Sequence, residues 1–128
     1  MPRQSPEQVA ADLTPNGIAA NLIQLSYELD DLVKEYRGLG EGAADAKREA
    51  EVAYAKAYMS AAGTVEERRQ AAIEAAVDAR FIADLAERKV SGCREAIRAV
   101  HARIEVGRTL SATTRDEMRL AGSGVHGA

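Results

Sequence analysis

Arg94, Arg98, His101, Arg108, Arg115 and Arg119 recur at steps of three, four and seven residues, a spacing that lines them along one side of a helix. Lys89 and Arg103 stand close by. Guanidinium groups at a regular rise could pair with successive phosphates of a nucleic-acid strand without reading its bases. Glu95, Glu105, Asp116 and Glu117 interrupt the run, and a solvated helix face would carry the same pattern; both readings stay open. The charge balance is uneven in the same direction. Residues 88–128 hold eight Lys/Arg against four Asp/Glu, +4, whereas residues 1–87 hold nine against sixteen, −7, within a net charge of −3. An anionic partner is therefore sought first along the C-terminal limb. A weaker basic group comprises Lys47, Arg48 and Lys56 with Arg68 and Arg69. Tyr54 and Tyr58, one turn apart, are either stacking partners for unpaired bases or packing residues.

Other chemistry finds no footing. His101, His126 and Cys93 form no Cys-x-x-Cys, His-x-x-x-His or Glu-x-x-His spacing, so no metal and no cofactor is expected. Gly38-Leu39-Gly40-Glu41-Gly42 is neither a dinucleotide fingerprint nor a phosphate loop, because no strand precedes it and no Gly-Lys-Ser/Thr follows. Asp30, Asp31 and Glu35 lie on a polar helix face with no cleft to tune them, so the chain is not read as an enzyme. The single Cys93 excludes an internal disulfide framework and reads as a small buried hydrophobe. Without a signal peptide or a run of roughly 20 apolar residues, the expectation is a non-membrane protein of the reducing cytoplasm.

The elements that position these residues are set by a heptad seam. Leu22, Leu25, Leu29, Leu32, Tyr36, Leu39, Ala43, Ala46, Ala50, Ala53 and Ala57 alternate steps of three and four, and Ala72, Ala76, Ala79, Ala83, Ala86, Val90, Cys93, Ile97, Val100 and Ile104 keep the same beat. Folding back at Ala62-Gly63-Thr64 sets alanine opposite alanine near the turn and Leu22 to Leu32 opposite Ile104 to Cys93 at the open end. The fold predicted is all-α, a long antiparallel helical hairpin with a coiled-coil-like, alanine-rich seam.

Its boundaries are marked by capping residues. Thr14-Pro15 reads as an N-cap followed by proline at the first helical position, and Thr64-Val65-Glu66-Glu67 as a capping box. Residues 1–14 are expected to be flexible, 15–119 to form the hairpin and 120–128 a disordered tail. Across Gly38 to Gly42 a kinked or frayed helix is favoured over a true loop, because Tyr36, Leu39 and Ala43 hold their phase across the glycines, with Gly92 and Gly107 as soft spots in the second helix.

Apolar residues remain outside the seam: Ile73, Val77, Phe81 and Leu85 on the second limb, and Ile18, Ile23, Val33, Val52 and Met59 on the first. Stripes of this kind mark contact surfaces, so a homo-oligomer is expected, with Ile73, Val77, Phe81 and Leu85 at its interface.

The stretch Ala53-Tyr54-Ala55-Lys56-Ala57-Tyr58-Met59, the turn Ala62-Gly63-Thr64-Val65-Glu66-Glu67-Arg68, and a long helix ending in Leu110-Ser111 and Arg115-Asp116-Glu117-Met118-Arg119 resemble small helical proteins of tailed phages, akin to UvsY-type recombination mediators. The resemblance covers most of residues 18–119. It implies a ring-like oligomer in the host cytoplasm that binds single-stranded DNA non-specifically. Such a protein helps load a RecA-like recombinase onto strands covered by single-stranded-DNA-binding protein. In that family basic side chains just before the hairpin turn contact DNA; Lys56 occupies that neighbourhood here, while alanine or tyrosine stands where a further basic residue is expected. With Arg94, Arg98, His101 and Arg108 from the basic run, Lys56 completes the candidate nucleic-acid-binding set. The other reading is a non-enzymatic structural or protein-interaction module, an assembly factor or an inhibitor of a host protein.

Overall fold

A computed structural model describes Arg3, Ser5 and residues 13–126, with side chains through residue 122. Most of the segment expected to be flexible, 1–14, lies outside the described residues, as do Gly127 and Ala128. Among the described residues there are two helices: α1, Pro15–Ser60, and α2, Val65–His126. No strand occurs among the described residues. α1 begins where the capping residues place it, with Gly17 N–H donating to Thr14 Oγ1 at 3.1 Å and Ile18 N–H to the Thr14 carbonyl at 2.8 Å. It runs unbroken through Gly38 to Gly42. α2 continues past Arg119 to His126.

The chain divides into two compact units. One is Leu32–Ala96, which holds the turn; the other combines the chain up to Asp31 with the chain from Ile97. In the turn unit, Ala43, Ala50, Ala72, Ala76, Ala83, Val90 and Cys93 are buried, and the intervening seam residues Leu32, Tyr36, Leu39, Ala46, Ala53, Ala57, Ala79 and Ala86 are half-buried. Every seam position read from the three-four spacing is thus covered. Ala72 and Ala76 have no accessible surface at all, which follows from alanine facing alanine: the backbones approach until the methyl groups leave no gap.

In the other unit Leu25 and Val100 are buried and Leu22, Leu29, Ile97 and Ile104 half-buried. Two residues there depart from expectation. Ile18, taken as lying outside the seam, is buried with 4% exposure and extends it one step below Leu22. Gly107, taken as a soft spot, is itself a buried seam position. The Leu22 side chain fills the space where a Cβ at Gly107 would stand, its Cδ2 2.6 Å from that point. Leu22 therefore lies one seam step beyond the expected Ile104, while Cys93 meets Leu32 as read, its Sγ 3.4 Å from the Leu32 carbonyl oxygen.

Between the helices, Gly63 adopts φ 111°, a left-handed conformation that other residues adopt at a cost. Thr64 Oγ1 accepts from Glu67 N–H at 3.2 Å, the first half of a capping box, and the Glu67 side chain folds back over Gly63. Glu66 and Glu67 also place negative charge in the first turn of α2, where the helix dipole favours it.

Candidate binding surfaces

Three surfaces are built on this frame. The first is the arginine-tyrosine cluster beside the turn. Tyr54 and Tyr58 stack with ring centroids 6.4 Å apart and planes 15° off parallel. Both are half-buried. Arg80 lies over Tyr54 at 5.1 Å and Arg68 over Tyr58 at 4.7 Å, the cation facing the negative ring face. Arg68 Nε also donates to the Tyr58 carbonyl at 3.2 Å, satisfying an acceptor in the last turn of α1, where cations are favoured. The tyrosines are therefore packing residues in this structure, each with a ring face covered by an arginine. Next to Arg80 a groove of about 400 Å³ opens between the helices, lined by Lys47 and Arg80 but also by Glu51, Asp84 and Glu87, so its charge is mixed.

The second surface is the basic run. In the turn unit, Arg94 Nη2 donates to Tyr36 Oη at 3.2 Å and its guanidinium lies 5.9 Å from the ring centroid. Tyr36, with Glu87 and Glu95 adding attraction, holds Arg94 still more firmly charged than an ordinary arginine. In the other unit, Arg98, His101 and Arg108 are all exposed. Arg108 pairs with Glu105 at 3.0 Å, both side chains about 70% exposed, and Arg98 has an interaction partner within the chain. Lys56, exposed on α1, shares a shallow groove with Asp45, Glu49 and Arg48. The basic residues are accessible, yet acidic neighbours answer part of their charge.

The third surface is apolar and belongs to the turn unit. Val77, Phe81 and Leu85 are 53%, 62% and 39% exposed, and Ile82, which the periodicity left unassigned, is 57% exposed. Ile73 is half-buried beside the seam. The reason is angular. Ala72 and Val90 each stand nine residues from Phe81, about two and a half turns, and both are buried. Phe81 must point directly away from α1. On α1, Val52 and Met59 are exposed as well, at 40% and 79%.

No helix among the described residues is long and apolar enough to cross a membrane, and no group of three or more His, Cys, Asp or Glu among them could hold a metal ion. No known family model, curated protein or solved structure matches the chain.

Proposed function

We propose that this protein is a non-enzymatic helical interaction module that works by association, through the outward face of α2, with copies of itself. The observation that carries the reading is the exposure of Val77, Phe81, Ile82 and Leu85 on consecutive turns of one helix. A hairpin whose own seam is already covered gains nothing from these residues internally, and exposing them to water is unfavourable by about 25 cal/mol per Å² of apolar surface. Replacing Val77 and Phe81 together by Glu is expected to give a smaller species in light scattering while circular dichroism stays helical. A variant with the parent's mass would contradict the reading.

A second reading follows from the basic run and from the resemblance to UvsY-type mediators: an accessory protein of phage recombination or replication that binds single-stranded DNA and helps load a recombinase. What supports it is the +4 balance of residues 88–128 and the exposure of Arg94, Arg98, His101 and Arg108. Its test is oligonucleotide binding against salt. Phosphate contacts give a log–log slope of about −0.7 per contact on a single strand, and Arg94→Ala, Arg98→Ala and Arg108→Ala combined should flatten it. Lys56→Ala tests contact nearer the turn. An unmodified protein that binds no oligonucleotide at low salt would remove this reading and leave the first.

A further inference from the structure

We propose that the outward face of α2 is self-complementary: it pairs antiparallel with the same face of a second copy of this chain, two-fold about Phe81, with Glu74 of each copy against Arg88 of the other. The inference deepens the association reading above and rests on it.

Glu74 and Arg88 stand seven residues before and after Phe81, about two turns in each direction, so both lie within roughly 20° of the Phe81 direction. Val77 and Leu85 lie four residues to either side and flank it. The face therefore reads, along the helix, negative, apolar, apolar, apolar, positive. Both charged side chains are exposed. Neither has a hydrogen bond, ion pair or ring contact within the chain among the described residues, in contrast to Arg68, Arg80 and Arg94 on the same helix.

Charge then chooses the orientation. Laid parallel to a second copy, this face would set Glu74 against Glu74 and Arg88 against Arg88. Laid antiparallel about Phe81, it sets Glu74 against Arg88 at both ends while Val77 meets Leu85 and Phe81 meets Phe81. Asp78 and Asp84, three residues either side of Phe81, rotate to opposite flanks of the contact line and so do not meet. A second copy answers both end charges and the apolar residues between them, which an unrelated apolar partner does not. The contact spans about four turns and falls near or below the roughly 1,200 Å² of the smaller specific interfaces, so the dimer is weak and dependent on concentration.

The experiment is sedimentation equilibrium of the full chain in low-salt buffer, where charge pairs are least screened, over a series from micromolar to millimolar. Glu74→Arg and Arg88→Glu should each weaken self-association about tenfold, since each turns two attractive exposed pairs into two repulsive ones. An equimolar mixture of the two variants should recover the parent's strength to within about threefold, because every charged contact in the mixed dimer is again opposite. The double variant should recover likewise. A parent that associates but is indifferent to the single swaps, or a mixture that fails to recover, overturns the antiparallel pairing and leaves self-association standing. A parent that is monomeric throughout overturns both.

Discussion

Arg68 closes the turn twice over, stacking on the Tyr58 ring and donating to the Tyr58 carbonyl. Its neighbour Arg69 makes only an exposed i,i+3 pair with Glu66 at 3.3 Å. Arg68→Ala should therefore cost about 1 kcal/mol of stability, and Arg69→Ala under about 0.5, in parallel thermal melts at one concentration. Nothing in the spacing of the sequence announces this clasp, because a long side chain reaching across a turn leaves no periodic trace; only the basic residues' proximity to Gly63 hinted at it. The same holds for Arg94 and Tyr36, 58 positions apart. Cys93 was legible, since its place on the three-four beat made it a seam residue. Burial pushes its thiol pKa up, and Glu35 pushes it the same way. Two outcomes follow. Native Cys93 should react with a disulfide reagent at least about tenfold more slowly than the unfolded chain at pH 8. Because the folded state holds the thiol proton more tightly, the associated stability is fully present below the ordinary thiol range and lost as pH rises from there through the raised folded value. Cys93→Ala should flatten that alkaline decline in melting temperature.

At the scale of the helix, two glycines of α2 separate intrinsic propensity from packing. Gly92 is exposed with nothing within 4 Å of a Cβ position, whereas Leu22 occupies that position at Gly107. Gly92→Ala should thus raise stability by up to about 1 kcal/mol. Gly107→Ala should yield no such gain, because Leu22 must leave its place to admit the methyl group. Equal gains in denaturant midpoint for the two variants would refute the close approach. Ala76, without accessible surface, sets the complementary limit: Ala76→Leu should cost about 1–3 kcal/mol by overpacking. The seam itself and the caps at Thr14 and Thr64 could be read from residue type and spacing, since each is a local rule; unbroken continuity across Gly38 to Gly42 needed coordinates, because three glycines allow a kink or a loop at the same spacing. Gly107 was missed because a glycine carries no hydrophobic signal, although Ile104, Gly107, Ser111 and Thr114 keep the beat and all are covered. Ile18 stands four residues before Leu22, on the same beat, so its burial follows once the seam is carried one step further toward the N-terminus.

For the molecule as a whole, the proposal of association rests on the separation of a covered seam from a bare apolar face. Val77, Phe81 and Leu85 could be placed off the seam from spacing alone. The burial of the seam opposite them, and the pairing of Arg108 with Glu105, needed coordinates, since neither the covering of a side chain nor its ion pairing is written in periodicity. The two surfaces also respond oppositely to salt: phosphate contacts weaken steeply as salt rises, whereas apolar contacts persist. The most direct measurement is therefore the solution mass of the unmodified chain by light scattering, taken from micromolar to millimolar protein at low and at high salt. The expected result is a weight-average mass that climbs above 13.7 kDa with concentration and remains elevated at high salt. A mass that stays at 13.7 kDa over the whole range would contradict it.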